Sequence, residues 1–533
     1  MHQATREVVD TQTGQVRGFC RKSGSYAFLG IPFAQAPVGD LRFMAPVPAL
    51  PWQGVREATV YGPTPQRRPL SPDPWIPEPS YPGEDTLVLN VFTPAPGNPR
   101  TKLPVMVWIH GGSYEGGSPS SPWYDGQAFN ERNVVTVSIS YRVGFNGFGY
   151  VEGSDAPVNR GLLDQALALQ WVKDNIAEFG GDPSRVTIAG QSAGGGSVLC
   201  HLASPFSAGL FSRAIAQSPA IGDRPLSQAR LISAKLSHRL GVTPTLEGWR
   251  SVSEDHILDA SVGLGQEISL PDDPIRFASA TVDGASFPRD QWARIMPFGP
   301  VFDSADPFLP TSVMAATFRG AGFDVPLLIG CTRHEFTDVT SSMRSVWNEG
   351  HDARSVLSKA GFPKLSTWAM LREFPELDND TTKVLGQLLT AGAFHLPMLN
   401  IVQARASARV ASVCDIETGV TMPATKAGTW VYEFAWQKPS TGLADHCVDV
   451  PFVFNCLKDE HVAKVFGTDS PPRGLASAIQ TDWVRFISVG DPGFPSWREG
   501  ERGRIYGSQS HSGVKSARPF QIEVNMMRLM REL

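Results

Sequence analysis

The apolar positions of this chain form short continuous runs separated by segments with helical spacing. Between Asn159 and Phe179 the apolar residues recur every three or four positions, which predicts one face of a helix that ends near Gly180. That face carries Leu162, Ala166, Leu169, Val172 and Ile176, widened by Leu163, Leu167 and Trp171. The continuous runs predict buried strands at Leu103–Ile109, Val134–Ser140, Val186–Ala189, Ala214–Ala216, Pro326–Ile329 and Trp430–Phe434. Alternating strands and helices predict an α/β fold with a mostly parallel sheet covered on both faces.

The insertions between these elements are of two kinds. The stretches near 226–301 and 337–429 are mixed and helical, so we expect them to cap a single domain that spans residues 1–533. The segment Pro65–Pro82 is rich in proline and predicts an ordered surface loop or a lid.

A five-residue turn with glycine at both ends, Gly190–Gly194, follows the predicted strand Val186–Ala189 and leads into a helix. Strand, sharp turn and helix are the setting of a nucleophile elbow, in which the central residue, Ser192, is lifted clear of the backbone. Small neighbours are needed because strand and helix approach closely. The pattern also occurs by chance, so an ordinary strand–helix turn stays open on this evidence alone.

Composition narrows the function classes. The chain has 533 residues, 41% of them hydrophobic, and a formal net charge of -5, so we expect no nucleic-acid partner. No apolar run reaches the ~18 residues that span a bilayer, and Met1–Glu7 has no apolar signal core. Six scattered cysteines lack zinc spacing. We expect no metal site, and reduced thiols in a cytoplasmic protein; the alternative is a secreted protein whose signal has been removed.

Several separated motifs resemble the type-B carboxylesterases of the α/β-hydrolase fold. These are the elbow, His110–Ser113, Glu84–Val91, Gly30–Ala34, Asn175–Pro183 and Leu210–Ile215. They occur in the family's order from near residue 13 to past residue 490. The resemblance therefore covers nearly the whole chain and implies the α/β-hydrolase fold.

A serine hydroxyl needs a base to become a nucleophile, and the chain offers eleven histidines. His110 precedes a glycine pair and is expected to be structural. His201 is too close to Ser192 in sequence to face it easily. His446 stands before an acid and an apolar–Pro–aromatic run, which resembles the family's histidine loop and implies that His446 is the base.

The third member of a triad is a carboxylate, which we expect between serine and histidine in chain order. The family's acid lies five residues beyond the glycine that ends a strand, which here is Gly330. The resemblance therefore implies Glu335, with Asp303 and Asp338 as the next candidates. It also implies an oxyanion hole formed by the backbone N–H groups of Gly111, Gly112 and Ala193.

These residues predict a serine carboxylesterase that hydrolyses neutral carboxylic esters through an acyl-enzyme, with no cofactor and a small-molecule ester as its partner. The alternatives are a lipase, or a carbamate or amide hydrolase, with the same triad, and a non-catalytic adhesion or binding relative. Ser218 is expected either beside the triad or as a plain polar residue at a strand end. The oligomeric state stays open.

Three positions depart from the family pattern. Gln191 replaces the usual glutamate and removes a negative charge, so we expect a weaker preference for cationic alcohol groups such as choline. Thr86 stands where secreted members have a disulfide cysteine, and the stretch 62–66 holds no partner cysteine. Cys447 replaces a small residue such as glycine, and we expect a packed thiol, with a reagent-sensitive position as the alternative.

Overall fold

A long mixed β-sheet runs through the molecule. The computed structural model describes residues 7–69, 71, 74–266, 274–275, 278, 296–347, 352–361, 367, 371–372, 374, 377, 380–407, 413–414, 421–422, 427–498, 500–507 and 514–532. The strands are β1 (Val8–Thr11), β2 (Gly14–Arg17), β3 (Phe19–Cys20), β4 (Tyr26–Pro32), β5 (Val55–Glu57), β6 (Val88–Thr93), β7 (Leu103–Ile109), β8 (Val135–Ile139), β9 (Gly181–Gln191), β10 (Arg213–Gln217), β11 (Arg224–Pro225), β12 (Val301–Phe302), β13 (Leu327–Thr332), β14 (Val413–Cys414), β15 (Thr421–Met422), β16 (Thr429–Phe434), β17 (Gly503–Tyr506) and β18 (Val514–Ala517).

The helices cover the two faces of this sheet. They are α1 (Gln127–Asn130), α2 (Gly144–Phe148), α3 (Arg160–Asn175), α4 (Ala193–Ala203), α5 (Leu226–Leu240), α6 (Leu246–Arg250), α7 (Glu254–Gln266), α8 (Val313–Phe318), α9 (Arg344–Trp347), α10 (Ala353–Lys359), α11 (Thr381–Thr390), α12 (Leu396–Ser407), α13 (Val450–Val453), α14 (Glu460–Phe466), α15 (Arg473–Val489) and α16 (Gln521–Glu532). A π-helical turn, Ala391–His395, joins α11 to α12. Short 3₁₀ helices lie at Gly39–Leu41, Pro122–Tyr124, Ile176–Phe179, Pro205–Ser207 and Val339–Met343.

The order of strands in the main sheet is β18-β17-β16-β13-β10-β9-β7-β8-β6-β4-β3 over the part of the chain that is described. The strands from β17 to β8 pair in parallel, whereas β18, β6, β4 and β3 pair antiparallel at the two ends. The carboxyl ends of parallel strands share one edge of a sheet, and ligands bind at that edge in open α/β sheets. The segments that follow β7, β9, β10, β13 and β16 therefore start from the same edge.

The patterns read from the sequence are confirmed for this core. Each predicted strand overlaps an observed strand, although β9 begins five residues before the predicted Val186 and β13 ends three residues after the predicted Ile329. The predicted helix is α3 followed by the 3₁₀ turn Ile176–Phe179, and Gly180 ends it with a left-handed φ of 82°. All five residues of its predicted apolar face are at most 2% exposed, because this face packs against the sheet.

The predicted cap insertions are partly described. The stretch 226–301 holds α5, α6 and α7, and the stretch 337–429 holds α9 to α12; parts of both stretches fall outside the described residues. The single-domain boundary stays a prediction. One described helical segment, Thr381–Ser407, is long and apolar enough to cross a membrane, but 94% of its most apolar window is buried in the fold. Such burial is typical of a core helix.

The described cysteine thiols are free: Cys200, Cys331 and Cys447 are buried, Cys456 is partly buried and Cys20 is exposed. The side chain of Cys414 lies outside the described residues. Mostly buried thiols agree with the packed role expected from the sequence.

A buried ion pair joins the end of β8 to α3. The Arg142 guanidinium donates to Asp164 through Nε at 2.8 Å and Nη2 at 2.7 Å, and the Arg142 backbone N–H donates to the same carboxylate at 2.9 Å. Their side chains are 4% and 0% exposed. Removing one partner leaves the other charge buried and uncompensated.

We therefore expect Asp164→Ala to lower the free energy of unfolding by about 3–5 kcal/mol. The matched control is Glu57→Ala, which breaks the Arg17–Glu57 pair, whose side chains are 45% and 57% exposed. An exposed pair contributes about 0–1 kcal/mol. Chemical denaturation of both variants measures the difference, and equal losses would contradict the role assigned to the buried pair.

Candidate active site

Ser192 lies at the tip of the turn between β9 and α4. Its backbone has φ 58° and ψ −120°, a strained conformation for a residue with a side chain. Its N–H donates to the carbonyl of Gln217 at 2.9 Å, and its carbonyl accepts from Gly196 at 2.8 Å and Ala220 at 3.0 Å. These three hydrogen bonds hold the strained residue in place.

The glycines around Ser192 are required by close backbone contacts. A Cβ at Gly190 would lie 2.4 Å from the carbonyl oxygen of Gly194, and a Cβ at Gly194 would lie 2.0 Å from that of Ile109. At Gly196 the corresponding distance to the Ala220 oxygen is 2.2 Å. Side chains are excluded at these positions, which explains the glycine pattern of the sequence.

The structure brings the three predicted triad residues together. Nε2 of His446 lies 2.8 Å from Oγ of Ser192, and Nδ1 of His446 bonds to Oε2 of Glu335. The backbone N–H of His446 also donates to the carbonyl of Glu335 at 3.0 Å. Ser192 follows β9, Glu335 follows β13 and His446 follows β16, so parallel strand ends place all three.

Glu335 is buried, with 1% of its surface exposed. Its Oε1 accepts a hydrogen bond from the Thr332 N–H at 2.7 Å. Burial raises the pKa of Glu335, but the charge and hydrogen bond of His446, helped by the Ser218 hydroxyl, outweigh it and lower the pKa. Burial lowers the pKa of His446, whereas the neighbouring Cys447 and Glu335 raise it well above its usual value. Glu335 is therefore ionised beside the imidazole.

The other two histidines considered from the sequence, His110 and His201, do not form hydrogen bonds with the triad. His110 stacks on Tyr141, and its Nδ1 lies 2.8 Å from the Gly111 carbonyl. Burial lowers the pKa of His110 to about 4 and that of His201 to about 3. His201 bonds to the side chains of Ser207 and Gln165 instead.

Nδ1 of His446 has Glu335 as its hydrogen-bond acceptor, and neither alternative acid takes that place. Asp303 accepts the Ala305 N–H at 2.9 Å, and Asp338 precedes the 3₁₀ helix Val339–Met343.

The predicted oxyanion-hole residues flank Ser192. Ala193 is the first residue of α4, so its N–H has no acceptor within the helix. A Cβ at Gly111 would lie 3.1 Å from Cβ of Ser192 and 2.8 Å from the Gln191 carbonyl, so the loop after β7 passes directly over the elbow. Gly112 has a φ of 116° and would clash with Gly116 if it carried a Cβ. Gly111 and Ala193 therefore both lie beside Ser192, one in the loop after β7 and the other at the start of α4.

Gln191 faces the imidazole rather than solvent. Its side chain is buried, and its Nε2 lies 3.1 Å from Nε2 of His446 and donates to Sγ of Cys447 at 3.1 Å. A neutral amide therefore occupies the position next to the base where the family pattern has a carboxylate.

Cys447 is a packed thiol. It is 7% exposed and has a φ of 69°, a left-handed conformation that favours glycine. Burial raises its pKa despite the opposing effect of His446, so the sulfur stays protonated at neutral pH. The packed role expected from the sequence therefore agrees with the geometry.

Ser218 directly follows β10 and belongs to the surroundings of the triad. Its N–H donates to the Gly330 carbonyl at 2.7 Å, and its hydroxyl helps to lower the pKa of Glu335. Asp449 lies in the same buried region; burial and the charge of Glu335 raise its pKa to about 7. The site thus holds two acids with different protonation preferences.

Sequence reasoning missed the aromatic rings around the base. Phe336, Phe394 and Trp75 have ring centroids 5.1, 5.0 and 5.9 Å from that of His446. Phe336 directly follows Glu335, and that adjacency was a usable signal. Phe394 comes from the π-helical turn, whose place cannot be read from the sequence.

The proline-rich segment 65–82 carries Trp75 and is attached to the loop after β7, which also carries Gly111 and Gly112. Residues 70, 72 and 73 of this segment lie outside the described residues. Arg67 pairs with Glu78 at 3.4 Å, and Oε2 of Glu78 accepts the Gly117 N–H at 3.1 Å. This attachment agrees with an ordered loop.

A parallel sheet, an elbow after one of its strands and a buried His–Glu pair at the same edge define the α/β-hydrolase class. Comparison with known proteins narrows the class. The carboxylesterase family model matches residues 5–508. The chain therefore belongs to the carboxylesterase family, and it is a carboxylic ester hydrolase.

Individual relatives agree over almost the full length. The chain is 35% identical to the para-nitrobenzyl esterase of Bacillus subtilis over 92% of its own length and 91% of the relative's. It is 31% identical to the human cocaine esterase over 91% and 85% of the two chains. A crystal structure of a Geobacillus stearothermophilus carboxylesterase superposes with a TM-score of 0.77 and 30% identity, covering 98% of this chain and 99% of the other.

The position of Gln191 gives a prediction about pH. A carboxylate 3 Å from the base would stabilise the imidazolium and raise the pKa of His446, so a smaller fraction of the base would be neutral at acidic pH. We expect Gln191→Glu to move the acid limb of the kcat/KM profile to higher pH by about one unit. The neutral control Gln191→Met should keep the wild-type midpoint, and a downward shift in the glutamate variant would contradict the argument.

Proposed function

We propose that this carboxylesterase acts through an acyl-enzyme formed on Ser192. His446 accepts the serine proton as Oγ attacks the ester carbonyl, and it then donates this proton to the leaving alcohol. Glu335 orients the imidazole and stabilises its charged form. Water then attacks the acyl-enzyme with the same base, and this returns Ser192 to its hydroxyl form.

One observation carries this proposal: a continuous hydrogen-bonded chain from Ser192 through His446 to Glu335. The chain is buried, and its acid has a lowered pKa. The order of roles follows from these partners, because a hydroxyl is activated by an adjacent base that a third group orients.

The backbone N–H groups of Gly111, Gly112 and Ala193 are proposed to stabilise the oxyanion. Gly111 and Ala193 lie beside Ser192 and Gly112 directly follows Gly111, and donors fixed before the reaction need no reorganisation when charge develops. Loss of one such donor costs about 3–4 kcal/mol of transition-state stabilisation.

Neutral carboxylic esters fit the surroundings best. Aromatic rings enclose the base, and Gln191 places no charge beside it. The name of the Bacillus subtilis relative, a para-nitrobenzyl esterase, makes an aromatic nitro ester a suitable first probe. The alternative of a non-catalytic binding protein is not favoured, because Ser192 and His446 are both present and hydrogen-bonded to each other.

We expect Ser192→Ala to lower kcat by on the order of 10⁶, because the triad members act as a unit. The measurement is hydrolysis of a chain-length series of nitrophenyl esters. The control Ser207→Ala changes a buried serine that bonds to His201, outside the triad, and should keep the chain-length preference. A Ser192→Ala enzyme that retains wild-type turnover would rule out the mechanism, and peak activity on long emulsified chains would favour a lipase.

The neutral amide of Gln191 also predicts which alcohol group of the ester the enzyme prefers. We expect kcat/KM for butyrylcholine to be no higher than for the neutral butyl ester of the same acid, because no carboxylate at this position attracts the ammonium. Parallel assays of the two esters at equal ionic strength measure this. A marked choline preference in the wild type would contradict it, whereas a rise in the choline ratio for Gln191→Glu would support it.

A further inference from the structure

A second buried histidine–glutamate pair lies next to the strand end that leads to Glu335. His395 closes the π-helical turn between α11 and α12, and its Nδ1 lies 2.8 Å from Oε1 of Glu523 on the last helix, α16. The residues are 1% and 4% exposed. The mechanism proposed above makes no use of either side chain.

The partners of His395 define its protonation. Its Nε2 lies 2.9 Å from the Thr332 carbonyl, which can only accept, so this nitrogen carries a proton. Burial opposes the charge of His395, but the hydrogen bond and charge of Glu523 raise its pKa, with help from Thr332 and Glu335. The pKa of Glu523 is lowered by His395 against the effect of burial. The pair is therefore an imidazolium and a carboxylate.

Thr332 connects this pair to the triad. Its carbonyl accepts from His395, and its N–H donates to Oε1 of Glu335. The other oxygen of Glu335 bonds to His446. A hydrogen-bonded path thus runs from the last helix through one strand end to the catalytic acid.

His395 is the direct charge partner of Glu523, and its charge also reaches Glu335. Arg333 lies near Glu523 and is itself paired with Glu433 at 2.7 Å. Cys331 lies near Glu335, Asp449 and Glu523, and burial and these acids raise the pKa of its thiol so that it stays neutral. The positive charge of His395 also contributes to the lowered pKa of Glu335.

We propose that His395 and Glu523 are positioning residues, a buried charged pair that fixes Thr332 and thereby holds Glu335 in its catalytic orientation. This inference rests on the proposed role of Glu335 as the acid of the triad. It couples the end of the chain to the reaction: α16 supplies Glu523, and the ring of Phe520 packs on His395 at 4.7 Å.

The test uses the full-length enzyme and compares Glu523→Gln, His395→Gln and Glu523→Asp. The first two remove the charged pair, so we expect kcat to fall on the order of 10-fold with little change in KM, because the acid is misplaced. His395→Gln also removes the nearby cation, which favours the protonated forms of Glu335 and His446, so the acid limb of kcat/KM of this variant should move up by about half a pH unit. Glu523→Asp keeps the charge and should keep the wild-type midpoint.

The matched control is Asp482→Asn. Asp482 pairs with Arg504 at 3.0 Å and accepts the Tyr506 hydroxyl at 2.7 Å at one end of the sheet, without a contact to Glu335. It should lose stability but keep kcat within about twofold. Active-site titration corrects every rate for the folded fraction. The double variant of His395 and Glu523 should lose no more activity than the worse single variant, since both act on one path.

The outcomes separate the two proposals. If Ser192→Ala is inactive while Glu523→Gln and His395→Gln keep the wild-type kcat and pH midpoint, the positioning role is wrong and the triad stands. It is equally wrong if these variants change only in parallel with Asp482→Asn. If Ser192→Ala is active, the mechanism itself fails.

Discussion

The strained backbone of Ser192 is the constraint on which the site depends. A residue in this conformation costs about 1–3 kcal/mol, and three backbone hydrogen bonds to Gln217, Gly196 and Ala220 offset that cost at about 1 kcal/mol each. Those bonds require β9, β10 and α4 to approach to within backbone contact. The elbow glycines permit that approach, and it places the Ser192 hydroxyl within hydrogen-bond distance of His446.

Burial and neighbouring charges together determine which acids of the site are ionised. Three acids, Glu335, Asp449 and Glu523, are each at most 4% exposed. Glu335 and Glu523 each face an imidazole and have lowered pKa values, whereas Asp449 has a pKa of about 7. Proximity to a cation decides which acid is ionised. For Glu335 the parallel pairing of β13 with β16 sets that proximity, and for Glu523 the packing of α16 against the π-helical turn sets it.

The sequence was sufficient wherever a local pattern determines structure. The central strands, the helix after Asn159 and the elbow follow from period, run length and glycine placement. Glu335 could not be identified in this way. Only the resemblance to the family favoured it over Asp303 and Asp338, because no local sequence pattern marks a catalytic carboxylate that follows a strand. His395 was missed altogether. It lies in an apolar helical stretch, and its role depends on a π-helical turn and on a helix more than 120 residues later.

Gln191 and Cys447, which both depart from the family pattern, are hydrogen-bonded to each other beside the imidazole of His446. Cys447 adopts a left-handed conformation that costs roughly 1–2 kcal/mol without glycine, which is unfavourable in isolation. Its sulfur, however, accepts a hydrogen bond from the buried amide of Gln191. A glycine at 447 would remove that partner, and a buried donor left unsatisfied costs about 1–3 kcal/mol. The two terms are similar in size, so the thiol and the amide compensate each other, and the charge that faces the base comes from Glu335 on its other nitrogen.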